Sequence, residues 1–194
     1  MRYSKDHKLQ TREKMVQVAS RKFRQEGFDG VSIGDLMAEL KLTHGGFYRH
    51  FSTKEQLYTE ALTCSIGDAQ TRIAERAELD GDLTLHRVIT AYLSSEHCAG
   101  IADGCPVAAL SAEVARQSAS VQSTFDEALA VYMETFLPLM PGKNETERKQ
   151  QFLVLFSGMA GALSAARAAS DPRLRQSILE SARDFYIETF CEER

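Results

Sequence analysis

A short run at positions 43–51 carries the side chains best suited to contact another molecule. It reads Thr-His-Gly-Gly-Phe-Tyr-Arg-His-Phe, and its hydrogen-bond donors follow a pair of glycines. Two glycines inside a helix cost roughly 1 kcal/mol each, so a close approach to another molecule explains Gly45 and Gly46 better than stability does. A slim, polar helix of this kind suits the major groove of DNA, which is about 12 Å wide.

The residues before this run predict a helix-turn-helix. Ser32 and Asp35 form a capping-box pattern, and apolar residues then follow at helical spacing: Ile33, Leu36, Met37 and Leu40. Lys41 and Leu42 are expected to form the turn, and Thr43 to cap the next helix. Ser52 and Glu55 form a second capping-box pattern, at the start of the fourth helix. An earlier helix is marked by Leu9, Val16, Ala19 and Phe23, and it is expected to stop at Gly27.

The segment from Val18 to Leu57 resembles the DNA-binding region of TetR-family transcriptional repressors. The resemblance covers the run FRQEGFDGVSIGDLMAELKLTHGGFYRHFSTKEQL. The matching features are Phe23 with Gly27, Val31-Ser32-Ile33, Tyr48 with His50-Phe51, and Lys54-Glu55 with Leu57. One departure is the turn Leu40-Lys41-Leu42, where the family more often has a small residue and a glycine. Beyond this region the resemblance is one of layout.

The resemblance implies a role for each residue of the motif. The residues expected to hold DNA phosphates are Thr43, Tyr48, His50 and Lys54, and Ser32 is a further candidate for DNA contact. The residues expected to face the bases are His44, Gly45, Gly46 and Arg49. An N-terminal arm with Arg2, Lys5 and Lys8 either adds phosphate contacts or is disordered.

Charge divides the chain at the same place. Residues 1–54 hold eleven Lys and Arg against six Asp and Glu, whereas residues 55–194 hold twelve against twenty-one. The overall net charge of −4 therefore conceals a basic first part and an acidic second part. This division indicates that the first part alone meets phosphate.

Composition and motifs exclude several other classes of protein. The apolar content of 43% is ordinary for a globular chain of 194 residues, no apolar run approaches the length of a membrane span, and the N-terminus lacks the apolar core of a signal peptide. The four cysteines show no paired metal spacing, and no motif of an enzyme active site or cofactor site is present. We therefore expect a cytoplasmic protein without cofactor, metal or catalytic residues.

Beyond residue 52 the pattern is helical throughout, which predicts an all-α protein of about nine helices. A DNA-binding domain at 1–52 precedes a ligand-binding and dimerisation domain at 53–194. The fourth helix joins them without a flexible linker, so it can carry movement. The later helices are expected near 53–77, 85–93, 106–117, 121–136, 145–169 and 172–191, with Cys105-Pro106 opening the sixth.

The last two long helices are apolar on more than one side, so each must be covered on more than one side. The resemblance implies that they form a four-helix bundle with a second copy of the chain. The residues expected at this homodimer interface are Val154, Gly158, Gly161, Ala165, Ala168, Ile178, Ala182 and Phe185. Burial of the small residues within one subunit is an equal alternative from the residues alone.

The middle helices are expected, again from the resemblance, to form a pocket for a small-molecule effector. The candidate lining residues are Cys64, Tyr92, His97, Cys105, Leu110, Phe125, Tyr132, Met133, Phe156 and Met159. Aromatic and Met residues at helical spacing are more often plain core. Their mixture with few charges favours a small, largely apolar ligand.

Cys105 allows a different mechanism. It follows Gly104 and precedes Pro106 at the start of the sixth helix, where the helix dipole and free N–H groups stabilise a thiolate. Cys98 could serve as a resolving partner. One alternative function is therefore a thiol-based redox or electrophile sensor of the same fold, although a small buried residue at a helix start fits the pattern better.

The function that agrees with most of these features is a ligand-responsive homodimeric repressor. It would bind a near-palindromic double-stranded operator and be released by a small-molecule effector. An all-helical interaction protein without DNA binding is the alternative from another class. The basic first part, Tyr48 and Lys54 argue against it.

Overall fold

The computed structural model describes residues 5–78 and 82–191, and these ranges contain helices and no strand. The α-helices are α1 (Lys5–Gly30), α2 (Ile33–Glu39), α3 (Lys54–Glu78), α4 (Leu85–Tyr92), α5 (Ser95–Ala99), α6 (Pro106–Val114), α7 (Ala119–Phe136), α8 (Glu145–Ala168) and α9 (Pro172–Cys191). Two 3₁₀ helices span His44–Arg49 and Leu137–Leu139. The expected all-α class is confirmed.

The first three helical elements form a small unit that we call the head: α1, α2 and the 3₁₀ helix at 44–49. Its core residues are Met15, Ala19, Phe23, Val31, Leu36, Met37, Phe47 and Phe51. Leu9, which marked the first helix in the sequence, lies on α1 as expected but is 57% exposed and outside this core. α1 breaks at Gly27, where φ is 73°, a conformation that glycine adopts without steric cost.

The turn between α2 and the 3₁₀ helix holds, although it lacks the usual glycine. Lys41 takes a left-handed φ of 57°, and the N–H of Leu42 donates to the carbonyl of Met37 at 2.8 Å. The helix that follows is a 3₁₀ helix, and the side chain of Thr43 makes no capping hydrogen bond, contrary to expectation. The first turn therefore depends on backbone hydrogen bonds such as that from Gly46 N–H to the Thr43 carbonyl, at 2.8 Å.

Replacing Lys41 by glycine is expected to stabilise the protein by about 0.5 kcal/mol. The left-handed conformation costs a non-glycine residue about 1–2 kcal/mol, and the greater freedom of glycine in the unfolded chain offsets about 0.5–1 kcal/mol of that gain. Urea unfolding measures the difference. Lys41→Ala is the control, since it removes the side chain and keeps the backbone strain; a gain as large in that variant would contradict the explanation.

α3 connects the head to the remaining helices, α4–α9, which we call the body. The expected Ser52–Glu55 capping box is wrong by one residue: Thr53 Oγ1 accepts from the Gln56 N–H at 3.1 Å, and Gln56 Oε1 accepts from the Ser52 N–H at 2.8 Å. Glu55 instead accepts from the Ser118 hydroxyl at 2.7 Å. That bond ties the start of α3 to the start of α7.

The body contains a short α-helix that the sequence did not predict. α5 is a single short helix, capped by Ser94, whose hydroxyl accepts from the His97 N–H at 3.1 Å. α6 ends at Val114 rather than near residue 117.

Among the described helices, α8 is long and apolar enough to cross a membrane by length and composition. This finding qualifies the expectation that no apolar run approaches the length of a membrane span. The buried residues of α8, Phe152, Leu155, Phe156, Met159, Ala160, Leu163 and Ala166, pack within the body.

Candidate nucleic-acid interface

The head presents an exposed, mostly polar surface around the 3₁₀ helix. Its exposed residues are Lys41, Leu42, Thr43, His44, Gly45, Tyr48 and Arg49. A Cβ built on Gly45 would meet no atom within 4 Å, so the missing side chain leaves room for a partner. Gly46 has a different role, because a Cβ there would lie 3.4 Å from the side chain of Met37 in the core of the head.

Two aromatic residues hold this surface to the core of the head. Phe47 is buried, and its ring centroid lies 5.6 Å from that of Phe51. Phe47 also meets Tyr48 edge to face at 5.2 Å, while the Tyr48 side chain is 58% exposed. The 3₁₀ helix is therefore anchored on one side and open on the other, where a nucleic acid could approach.

The residues expected at phosphates occupy different surroundings. Ser32 caps α2, accepting from the Asp35 N–H at 3.0 Å, so its exposed hydroxyl already has a structural role. The ammonium group of Lys54 lies 4.3 Å from the centroid of the Phe28 ring. His50 is half-buried, and burial, followed by Lys8 and Arg12, lowers its pKa, so it is neutral at pH 7. Arg2 and the side chain of Lys5 lie outside the described residues.

A second candidate site is a narrow cavity in the body. Its volume is about 20 Å³, and its lining is Leu85, Val88, Tyr92, Tyr132, Phe136, Met140, Phe152, Leu155, Phe156 and Met159. Four of the expected pocket residues, Tyr92, Tyr132, Phe156 and Met159, are among them. We call this the body cavity. In this conformation it is almost filled by its own side chains.

The other expected pocket residues lie around the cavity or away from it. Leu110 is buried in the core, and Phe125 and Met133 pack against it from α7. Cys64 is separate, since it lies in an open groove of about 520 Å³ between α1 and α3, together with Arg12 and Glu60. The assignment of Cys64 to the pocket is therefore corrected: its position on α3 faces α1.

His97 connects the end of α4 to the start of α6. Its Nδ1 lies 2.7 Å from the Tyr92 carbonyl and its Nε2 accepts from the Cys105 N–H at 3.0 Å. A carbonyl only accepts, so the proton is on Nδ1. Burial lowers the pKa of His97 to about 4, and the ring is neutral at pH 7. His97 is thus a structural link beside the cavity.

Cys105 is placed as expected at the N-cap of α6, yet its environment opposes a thiolate. The residue is fully buried, and this burial raises the pKa of its thiol above the usual value despite nearby N–H groups of α6. The expected stabilisation of a thiolate is therefore wrong for this conformation. Cys98 is also buried, and its carbonyl accepts from Arg167 Nε at 3.2 Å.

α6 is tied to the head at both ends, by contacts that the sequence did not indicate. Near its C-terminal end, Glu113 accepts from the Phe28 N–H at 2.8 and 2.9 Å and from the Tyr58 hydroxyl at 2.9 Å. Before its N-terminal end, the carbonyl of Gly104 accepts from Arg24 Nη1 at 3.1 Å. Arg24 is a buried residue of α1. A movement of α6 would therefore be transmitted to the head.

The expected interface residues on α8 and α9 divide into two groups. Val154, Gly161, Ala165, Ala168 and Phe185 are exposed, and they form an uncovered stripe with Leu153 and Leu174. Gly158, Ile178 and Ala182 are half-buried. At Gly158 the ring of Tyr186 occupies the space that a Cβ would need, so this glycine serves packing within one subunit.

Comparison with known proteins adds independent information. Residues 16–61 match the model of a family described as bacterial regulatory proteins, tetR family. The chain is 29% identical over 82 residues to the HTH-type transcriptional regulator AcrR of Shigella flexneri, a match that covers 42% of this chain and 38% of AcrR. The chain thus matches well under half the length of that relative.

Solved structures share the fold over nearly the whole chain. A TetR-family transcriptional regulator from Cytophaga hutchinsonii has a TM-score of 0.77 at 16% identity, covering 100% of both chains. NemR of E. coli, solved in its reduced form, has a TM-score of 0.69 at 23% identity and covers 93% of this chain and 97% of NemR. At these identities the similarity establishes the fold.

Proposed function

We propose, on the premise that this chain belongs to the TetR family of bacterial regulatory proteins, that it represses transcription as a homodimer. Each head would place the 3₁₀ helix at 44–49 in one major groove of a near-palindromic operator. The observation that carries the proposal is the open polar surface around Gly45, anchored by the buried Phe47. We propose a cytoplasmic location and a regulatory rather than enzymatic role.

DNA contacts would divide between base edges and phosphates. His44, Gly45 and Arg49 lie on the exposed side of the 3₁₀ helix, which is the side able to face bases. Thr43 and Tyr48 flank it, and Lys54 lies at the start of α3 with Ser32 at the start of α2. These flanking groups are suited to phosphates, which set position and affinity without reading sequence.

The operator for testing these base and phosphate roles is selected from genomic DNA fragments, which include the promoter of the protein's own gene. Arg49→Ala is expected to weaken operator binding by about 1–3 kcal/mol and to relax preference at one base position. Arg49→Lys is the matched control, because it keeps the charge and loses the planar fork; it should bind random DNA normally and still lose the preference. Anisotropy titrations measure both.

The phosphate role has its own signature in the same titrations. Lys54→Ala is expected to weaken binding to all sequences and to reduce the slope of log K against log salt concentration by about one.

The outcome that would contradict the base-reading role concerns Arg49. If Arg49→Ala left the ratio of specific to random binding unchanged, Arg49 would not read bases.

Release of DNA would follow from a shift between two conformations of the body. An effector acts by its greater affinity for the conformation whose heads do not match the operator spacing. The ties from α6 to the head, through Glu113 and through the Gly104 carbonyl, support this route. They connect the head to α6, whose N-cap Cys105 lies beside the cavity residue Tyr92.

The two alternative functions receive less support. A thiol sensor needs an accessible thiolate, whereas Cys105 is fully buried with a raised pKa. An interaction protein without DNA binding would have no need of the exposed polar surface around Gly45. We therefore propose a non-covalent effector.

A further inference from the structure

Two buried tyrosine hydroxyls in the body have no hydrogen-bond partner within the described ranges. Tyr92 is 1% exposed and Tyr132 is 3% exposed. The Tyr92 hydroxyl lies beside the Cys105 thiol, which is a weak acceptor. A buried hydroxyl without a partner destabilises the folded state, and native structures keep few of them. A pair in one place therefore calls for a functional explanation.

Both tyrosines line the body cavity, and both lie against the same aromatic ring. The ring centroid of Phe156 lies 6.0 Å from that of Tyr92 and 4.8 Å from that of Tyr132. The remaining lining residues are all apolar. The two hydroxyls are thus the hydrogen-bonding groups of an otherwise apolar cavity, which is the usual composition of a small-molecule site.

Arg167 brings a positive charge to the same cluster. Its Nε and Nη2 donate to the carbonyls of Cys98 and His97 at 3.2 and 3.0 Å, while its buried Nη1 meets no acceptor among residues 5–78 and 82–191. The titratable groups that act on this guanidinium are Cys105, Tyr92 and Cys98. None of the three is a carboxylate, and a partly buried cation without a counter-ion favours an anionic partner.

We infer that the effector is a small apolar molecule bearing a carboxylate, whose oxygens accept hydrogen bonds from Tyr92 and Tyr132 while Arg167 balances its charge. The inference rests on the proposed function and names the chemical class of its effector. The apolar part of the molecule would lie against Phe156 and Met159. Two hydroxyl donors and a cation select an anion over a neutral hydrocarbon of the same shape.

Such a molecule must widen the cavity, since a volume of about 20 Å³ is far below the roughly 300–1,000 Å³ of typical ligand pockets. Tyr92 lies on α4, Tyr132 on α7 and Phe156 on α8, so a ligand between their rings separates these helices. Tyr92 also adjoins Cys105 at the start of α6. The same displacement would therefore reach the head through Glu113.

Thermal unfolding without any ligand provides the first test. Tyr92→Phe and Tyr132→Phe are each expected to raise Tm, because the Tyr132 hydroxyl has no acceptor and the Tyr92 hydroxyl has only the weakly accepting Cys105 sulfur beside it. Tyr58→Phe is the matched control and should lower Tm, since the Tyr58 hydroxyl donates to Glu113 at 2.9 Å. A lower Tm in both cavity variants would mean that their hydroxyls are satisfied, and that result overturns the inference.

Calorimetric titration of the full chain tests the ligand class. The probes are benzoate and cyclohexanecarboxylate, each compared with its hydrocarbon, toluene or methylcyclohexane. The wild type is expected to bind at least one carboxylate more tightly than the matched hydrocarbon, and Tyr132→Phe to weaken that carboxylate about tenfold. The inference is overturned if neither carboxylate binds, if each binds no better than its hydrocarbon, or if both Phe variants bind it normally.

A gel shift with the selected operator keeps this inference apart from the proposed function. Carboxylate binding that depends on Tyr132, in a protein that binds no operator, would overturn the repressor and leave the site in place. Operator binding by a protein that binds neither carboxylate would overturn the ligand class and leave the repressor.

Discussion

A Gly161→Phe variant is expected to be monomeric and to bind its operator at least about 100-fold more weakly than the wild type, because two linked heads bind far more tightly than one. A Cβ on Gly161 would meet no atom within 4 Å, so the phenyl group fits the isolated subunit. The cost would arise only where another helix approaches. Such a partner would cover two exposed apolar side chains, Val154 on α8 and Phe185 on α9, which are 64% and 60% exposed.

The control for this prediction is Gly67→Phe. Gly67 also lies within a long helix, and a Cβ there would also meet no atom within 4 Å, but it belongs to α3 rather than to the exposed stripe of α8 and α9. Light scattering and operator titration should show a dimer with normal affinity for this variant. A dimeric, fully active Gly161→Phe protein would place the interface elsewhere.

The head could be predicted from the sequence because its signals are local. Ser32 with Asp35, the break at Gly27 and the anchoring Phe47 each depend on residues a few positions apart. Where two adjacent residues could each cap a helix, the prediction was wrong by one residue: Thr53 caps α3 in place of Ser52. Lys41 shows the converse, since the turn forms with an unfavourable residue when the packing of the head fixes its geometry.

The contacts of the body were harder to predict from the sequence, because they join distant parts of the chain. Glu113 lies 85 residues from Phe28 and 55 from Tyr58, and nothing near it in sequence indicates either contact. Cys105 was placed correctly at a helix start, but the residues that bury it and raise its pKa come from other helices. Gly158 and Gly161 both lie on the small-residue face predicted for α8. In the structure Tyr186 fills the space beside Gly158, whereas the space beside Gly161 is open.

Glu113→Ala is expected to lower the free energy of unfolding by about 2–3 kcal/mol and to weaken operator binding about tenfold. The change leaves the Phe28 N–H and the Tyr58 hydroxyl without an acceptor, and each such group costs about 1–3 kcal/mol when buried. Burial and the nearby Glu113 raise the pKa of Tyr58, so its phenol stays protonated and needs that acceptor. A head that is no longer tied to α6 would spend less of its time in the orientation that matches the operator spacing.

Glu127→Ala is the control for loss of one negative charge, because Glu127 is an exposed residue of α7. It should leave urea unfolding and operator affinity unchanged. If Glu113→Ala matched it in both measurements, the carboxylate would not hold the head to the body.

Gly27 supplies a sharper test of the same tie. A Cβ at Gly27 would lie 2.5 Å from Glu113 Oε2, in addition to the strain of a φ of 73°. Gly27→Ala therefore carries two costs in the wild type, but only the backbone strain in a Glu113→Ala background. The losses of the two single variants should add to more than the loss of the double variant. Strict additivity in urea unfolding would show that α1 and α6 act independently, and the route from cavity to head would have to run through α3 instead.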